Sequence, residues 1–439
     1  MKKGCIWLFL ALFFWCDTAS SQRMLTLEEA IATALQNNYD IQLSKNDSMV
    51  AALDYTYRNA AFLPTLNGLA STTWNDNNQR QTLADGSKRE QKSIRSHNSA
   101  ASALFNWTLF DGLKMFATRD KAAELIELGS LGIRSQVVNS VATVITTYYN
   151  IVRQKQQLKA VEEQIALNEE RVRLSQYKLD IGTGAKPDLL QSKVDLNEQK
   201  ALKLEQLTLI DQLKEQLTQV MNVNRDISFE VSDSIPLNTM IGLGDIQSDL
   251  EQNNPELLIA RKNIDIARLT LRERKAERLP VVSFNSSYNY SRTDNKKVIN
   301  PFSPLFNQSN GLNYGFSANI PIFNRFNTKR LVRQAQLDIQ YQQLVFENQR
   351  SIVNLDVITA FKNYELQKKA LTLEEENILL ARENVDIVFQ TYKLGAATLV
   401  QLREAQNSLE TANNRLIAAR YAMKLAETEL LRLKGTIGK

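Results

Sequence analysis

Beyond its first sixteen residues this sequence has no cysteine. Both cysteines, Cys5 and Cys16, lie in an N-terminal stretch that reads as a signal segment. The rest of the chain is left without disulfides, thiolate metal sites or thiol nucleophiles. Histidine is equally scarce. His97 is the only one, which excludes Cys/His metal clusters and reads as a surface residue beside a strand or loop. No glycine loop has the spacing that cradles phosphate. The 53 Lys and Arg against 48 Asp and Glu are interleaved, as in Glu162, Glu163, Arg171 and Arg173, and no basic block suggests a nucleic-acid partner. Glu374, Glu375 and Glu376 read as a solvated helix face. No catalytic residue, cofactor site or metal site is assigned, and the chain is not read as an enzyme.

Long apolar runs are absent too. Lys2 and Lys3 precede an apolar segment from Ile6 to Trp15, and the small residues Ala19, Ser20 and Ser21 precede a cut at Gln22. This is the grammar of a cleavable export signal, residues 1–21. The run is too short to span a bilayer as a helix, and nothing longer follows, so a helical membrane protein is excluded. Trp15 argues against lipidation of Cys16, because that processing needs a small residue before the cysteine.

What the chain does have is a duplicated plan. Asn37 and Asn38 recur as Asn253 and Asn254, and Pro64 recurs as Pro280, each 216 residues on. Phe110, Asn150, Gly182 and Leu189 recur as Phe323, Asn363, Gly395 and Leu402, each 213 residues on. The offset changes between Pro64 and Phe110, where a hairpin loop is expected, and loops are where insertions belong. Proline placement then draws the helices. None of the eight prolines lies between 65 and 186 or after 321, so long helices are permitted there. Stretches 112–181 and 325–394, if continuous, are each about 105 Å long.

Apolar residues in these stretches repeat every seven. Leu158, Ile165, Val172 and Leu179 correspond to Leu371, Ile378, Val385 and Tyr392. A second stripe runs Leu366, Leu373, Leu380, Ile387 and Leu394, and the last helix carries Leu402, Leu409, Leu416, Met423 and Leu430. Such heptads imply helices packed side by side over long lengths, with every stripe in a core. Gly182-Thr183-Gly184 and Gly395-Ala396-Ala397 break each stretch into a helical hairpin. Period-two alternation marks two further hairpins, 65–82 with 95–109 and 281–296 with 309–322. The clearest stretch places Leu312, Tyr314, Phe316, Ala318 and Ile320 opposite Asn313, Gly315, Ser317 and Asn319. The pattern alone leaves a lipid-facing barrel and a soluble β-domain both open. Four strands cannot close a membrane barrel; three chains supply about twelve.

This combination resembles the TolC-like outer-membrane efflux protein family, over essentially the whole exported chain. The residues that carry it are Leu27-Glu28-Glu29-Ala30-Ile31, the Pro64 and Pro280 strand entries, Tyr392-Lys393-Leu394-Gly395 with Leu399 to Leu402, and Arg420-Tyr421. The resemblance implies an α+β membrane protein: a homotrimer with a shared 12-strand outer-membrane β-barrel, four strands per chain, continuous with a long periplasmic α-helical barrel. The expected division is a signal peptide at 1–21, a first repeat at 22–221, an equatorial linker at 222–243 and a second repeat at 244–439. Residues 25–38, 222–256 and the C-terminal stub resemble the family's equatorial region. The implied function is an exit duct of a tripartite efflux or secretion system, with outer-membrane lipid, a periplasmic adaptor and an inner-membrane pump as partners. The competing readings are a periplasmic coiled-coil adaptor with a soluble β-domain and a self-inserting pore-forming toxin.

By position in the family pattern, gate residues fall at Asp188, Tyr392, Gln401, Glu404 and Arg420. Of the acidic ring only Glu404 keeps a carboxylate, Gln401 standing at the other position. Ala397 replaces a latch arginine and Pro187 occupies another latch position, so an altered latch is expected. From the residues alone, Asp188 also fits a helix cap and Tyr392 a core position. Adaptor docking is expected at the turns Gly182, Thr183, Gly184, Gly395, Ala396 and Ala397.

Overall fold

The computed structural model describes residues 23–223 and 229–437. The expected signal segment, with Cys5 and Cys16, lies outside the described residues. The chain opens with β1 (Arg23–Leu25), α1 (Leu27–Asn37) and α2 (Tyr39–Thr56). A hairpin of β2 (Thr65–Thr82) and β3 (Lys88–Phe110) leads into α3 (Lys114–Asp180) and α4 (Lys186–Met221). After β4 (Phe229–Val231) and the short helices α5 (Leu243–Gln247) and α6 (Leu250–Asn253), the plan repeats. It runs α7 (Pro255–Ala276), β5 (Val281–Asn295), β6 (Phe306–Asn319), α8 (Asn327–Lys393) and α9 (Leu399–Lys434). Both bounds of α8 and of α9 lie 213 residues after those of α3 and α4. Prolines sit where a missing N–H costs nothing: before β2 and β5, at the start of α7 and in the first turn of α4.

Two compact units divide the chain. Residues 46–132 and 256–349 form one; the remainder forms the other. In the first, one antiparallel sheet has the order β2-β3-β5-β6. Its register sets the two faces. Successive rows on one face are Trp107-Phe284-Phe316, Leu66-Phe105-Ser286-Tyr314 and Gly68-Ala103-Tyr288-Leu312. The matching rows on the other face are Thr65-Asn106-Asn285-Gly315, Asn67-Leu104-Ser287-Asn313 and Leu69-Ser102-Asn289-Gly311. One face is thus apolar and aromatic, while the other is mostly small and polar. From Thr65 to Asn75 and across its partners that second face carries no ionisable side chain. β2 and β6 are the edges, and all fourteen positions of β6 are exposed.

β3 starts earlier than its alternation suggests, at Lys88 rather than 95. The polar stretch 88–94 has no hydrophobic period to read, yet it pairs with β2 through Arg80 and Glu90, 2.8 Å apart. A bulge between Asn77 and Gln79 absorbs the change of register. There Ser93 takes a positive φ and donates its N–H to Asn78 Oδ1 at 2.9 Å. β6 spans 306–319 rather than 309–322, stopping before Pro321, which cannot donate to a ladder.

In the second unit, β1 and β4 form a parallel pair, and Phe229 and Val231 of β4 belong to one core with Val141, Tyr148, Ile151 and Val152 of α3. The buried Tyr148 hydroxyl donates to Leu25 O at 2.9 Å and accepts from Ser232 N. The repeated Asn pair has a matching use in each half. Asn38 Nδ2 donates to Val220 O near the end of α4, and Asn254 Nδ2 donates to Leu433 O near the end of α9, both at 2.8 Å. Each amide satisfies a carbonyl that the helix end leaves open. Among the described residues no helix is long and apolar enough to cross a membrane.

Candidate functional site

Both helical hairpins turn within the second unit. Gly182 and Gly395 adopt φ +79° and +78°, the left-handed conformation a side chain disfavours. Thr183 N and Gly184 N donate to Lys178 O, and Ala396 N and Ala397 N donate to Thr391 O. The turns share this backbone but differ in how the next helix starts. Thr398 and Gln401 form a reciprocal capping box on α9. On α4 the cap position is Ala185, which offers no side-chain bond, and Pro187 follows in the first turn. Asp188 is therefore not the cap. It lies in the first turn, exposed, where a carboxylate suits the helix dipole.

Of the residues expected at the gate, Asp188, Gln401 and Glu404 are exposed at or just beyond the turns. Tyr392 is buried, completing the stripe Leu371, Ile378 and Val385. The ammonium of Lys178 lies 3.8 Å from its ring centroid and donates to its carbonyl at 2.9 Å. Arg420 is elsewhere. It lies about 30 Å along α9 from the turn, 3.8 Å from Glu375. One chain does not bring Asp188, Tyr392 and Arg420 together.

What one chain does assemble is a polar seam that the heptads do not announce. The stripe Leu158, Ile165, Val172 and Leu179 is only half-buried. Instead α3 buries Gln164, Asn168, Arg171 and Ser175. The reason is that α3 faces two helices at once, so its inward direction is turned by about one residue, near 100°. Arg171 shows both contacts. Only 2% exposed, it donates from Nη2 to Asp195 Oδ2 on α4 at 2.6 Å and from Nη1 to Gln406 Oε1 on α9 at 2.7 Å. Asp195 Oδ1 accepts from Gln191 at 2.8 Å and lies 3.5 Å from Arg403. Ser175 and Ser192 hydroxyls meet at 3.3 Å, and Gln199 donates to Glu410 at 3.4 Å.

Burial lowers the pKa of Arg171, against the attraction of Asp195, which raises it. Burial raises that of Glu410, against the Gln199 bond. The seam encloses about 150 Å³. Arg171 Nε, Gln406 Nε2 and Gln199 Oε1 have no hydrogen-bond partner among the described residues. Sequence reasoning missed this cluster. Its signal was present: polar residues at 164, 168, 171 and 175, spaced as one helix face.

The other seam is apolar. Leu371, Ile378 and Val385 of α8 and Leu402, Leu409, Leu416 and Met423 of α9 are buried. The stripe Leu366, Leu373, Leu380, Ile387 and Leu394, expected in a core, is 57 to 84% exposed. Leu373 is two residues from Leu371, about 200° around the helix. Helix α8 thus carries apolar stripes on opposite sides, and only one is covered by its own chain.

Known proteins share this plan. "Outer membrane protein TolC" of Escherichia coli (strain K12) is 22% identical over 367 residues, 80% of this chain and 72% of the relative. "Alkaline protease secretion protein AprF" of Pseudomonas aeruginosa is 22% identical over 441 residues, covering 96% and 86%. Among solved structures, the outer membrane protein VceC of Vibrio cholerae superposes with a TM-score of 0.75 at 14% identity, over 93% of this chain and 96% of that one. Residues 30–223 and 246–436 match the family described as "Outer membrane efflux protein", and the chain belongs to that family.

Proposed function

We propose that this protein is the outer-membrane exit duct of a tripartite efflux or secretion system, working as a homotrimer. The observation that carries this reading is the open sheet. Its edges β2 and β6 are unpaired among the described residues, one face is apolar and aromatic, and the other is mostly polar and from Thr65 to Asn75 and across its partners carries no ionisable side chain. Open edges within a bilayer are untenable. Three copies joined β6 to β2 make a closed barrel of twelve strands, with lipid outside and water inside. The second apolar stripe of α8 supports the same assembly, since a barrel stave needs a partner on each side. The proposed division is a signal at 1–21, repeats at 22–221 and 244–439, and a linker at 222–243. The chain is proposed to sit in the outer membrane with its helices in the periplasm.

The turns Gly182 to Gly184 and Gly395 to Ala397 form the periplasmic mouth in this reading, and an adaptor docks there and links the duct to an inner-membrane pump. Asp188 and Glu404, exposed and without an ion pair among the described residues, meet neighbouring copies at the closed gate. Tyr392 and Arg420 then act through the helices that hold the turns. The polar seam ties the first hairpin to α9 and is only partly satisfied. A buried network of that kind is costly to hold and suited to rearrangement. The test is membrane fractionation followed by mass measurement in detergent. Outer-membrane recovery of a trimer supports the duct; a soluble monomer sinks it and restores the adaptor reading. At the gate, Asp188→Ala with Glu404→Ala should raise single-channel conductance in planar bilayers, and unchanged conductance removes both from the gate.

A further inference from the structure

At the loop end of the sheet the apolar face changes character. Above Tyr290 and Tyr288 come the rows Thr72-Ser99-Arg292-Gln308 and Trp74-His97-Asp294-Phe306, and then Asp76 opposite Arg95. A cleft of about 600 Å³ opens there, lined by Trp74, Asp76, Arg95, His97, Asp294 and Lys296. The Trp74 indole stacks on His97 at 4.9 Å with planes 14° apart, and His97 Nε2 is fixed by Thr72 Oγ1 at 2.8 Å. One indole face is thereby propped while the residue stays 72% exposed. Lys296 N donates to Arg95 O at 2.8 Å, which sets the two residues opposite each other, and both line the cleft.

The charges are unequally matched. Asp76 takes only Nε of Arg95, at 3.0 Å, leaving both terminal guanidinium nitrogens without a partner among the described residues. Asp294 is occupied by Arg292 at 2.8 Å. The ammonium of Lys296 has no ion pair among the described residues, and neither have Lys88, Arg89, Lys92 and Lys297 close by in the sequence. This end of the sheet therefore offers unneutralised positive charge beside a flat, propped aromatic ring.

We infer that this cleft holds the phosphorylated sugar headgroup of a glycolipid, with the ring on Trp74 and the phosphate between Arg95 and Lys296. A guanidinium with two free nitrogens matches phosphate geometry, and an indole at this level of a barrel sits at the headgroup boundary. A lipid, rather than a soluble sugar phosphate, is the source argued for. Tyr288, Leu312, Tyr314 and Phe316, each at least 50% exposed, continue from the cleft along the same face and give acyl chains a surface. The inference rests on the outer-membrane reading above.

The test is equilibrium binding of lipid A by the full-length protein in neutral detergent micelles, with insertion into phosphatidylcholine vesicles measured separately. Lipid A should bind, and its dephosphorylated form should bind at least roughly tenfold more weakly, about 1.4 kcal/mol. Trp74→Ala, Lys296→Gln, and Arg95→Gln with Lys296→Gln should each weaken lipid A binding. Arg95→Lys should retain part of it, and unchanged near-ultraviolet circular dichroism checks the fold of each variant. Absent binding, equal affinity for the dephosphorylated lipid, or variants that bind like the wild type would overturn the inference. So would free glucosamine phosphate binding as tightly as lipid A, which makes the ligand a soluble sugar. Failure to enter vesicles counts against the duct reading alone, because the binding is read in micelles.

Discussion

The two helical hairpins agree in length to the residue and disagree in what they bury. Helices α3 and α8 both span 67 residues, and α4 and α9 both span 36. Yet in the stretch leading to the turn α8 closes on Leu371, Ile378 and Val385, while the matching stretch of α3 closes on Gln164, Asn168, Arg171 and Ser175. The counterparts of Arg171 and Asp195 in the second half, Asn384 and Ser408, are exposed. Duplication therefore preserved the frame and let the inward faces diverge. An apolar seam resists sliding only through packing, whereas a buried ion pair fixes register and partner. The divergence concentrates specific, breakable contacts on the first hairpin's attachment to α9.

Breaking the ion pair from one side should give the largest effect. Asp195→Ala leaves Arg171 buried with only the neutral Gln406 as partner, a loss of about 3–5 kcal/mol. Ser408→Ala, its positional counterpart, should stay within about 0.5 kcal/mol. Thermal and denaturant unfolding of the detergent-purified protein compares them. Equal losses would mean that the two hairpins do not differ in the way described. The shared frame gives the complementary expectation. Leu189 and Leu402 are equivalent, and both are buried. Leu189→Ala and Leu402→Ala should each cost about 2–5 kcal/mol, and a loss at only one of them would show that the frame itself is unequal.

Removing both charges should do far less than removing one. With Arg171→Leu and Asp195→Leu together no buried charge is stranded, and such replacements are commonly neutral or stabilising by about 1–4 kcal/mol. If the double variant is as unstable as Asp195→Ala, the seam acts through shape and not through charge. If it is stable but conducts differently in planar bilayers, the ion pair serves the mouth of the duct more than the fold.

These contrasts also mark what the sequence could disclose. Offset repeats, proline positions and glycine breaks place helix ends because each is a local backbone rule. The alternating strands are readable where one face is apolar, from Trp107 to Trp74, and fade at Lys88 to Ile94, where both faces are polar. The heptads identify helices that pack lengthwise but not which neighbour each stripe meets. So Leu366 to Leu394 reads as core although its own chain leaves it exposed, and Arg171 reads as one charge in a mixed-charge helix although it is buried. Burial of Arg171 depends on α9, more than two hundred residues away in the chain, and no local pattern reports that. Of the candidate gate residues, Asp188, Gln401 and Glu404 fall at the turns, as spacing alone requires, while Arg420 is too far along α9 to join them in one chain.

The smallest effect sits at the edge of the seam. Burial raises the pKa of Glu410 above the usual carboxylate value, and the nearby Glu198 adds to the shift. The folded chain therefore holds this proton more tightly than the unfolded chain does. The sign follows: ionised Glu410 opposes folding at neutral pH, and the opposition fades as pH falls through its raised folded value. Glu410→Gln keeps the shape, can still accept from Gln199, and removes the charge. It should stabilise the protein slightly at neutral pH. That gain should shrink as the pH is lowered into the carboxylate range, where the wild type takes up the proton itself. Asn197 of the first hairpin is the position equivalent to Glu410 and has no such charge, so Asn197→Ala should show no pH-dependent difference from the wild type. A gain for Glu410→Gln that stays constant with pH would mean the carboxylate is not buried against the seam, and would move the polar boundary between the hairpins closer to the turns.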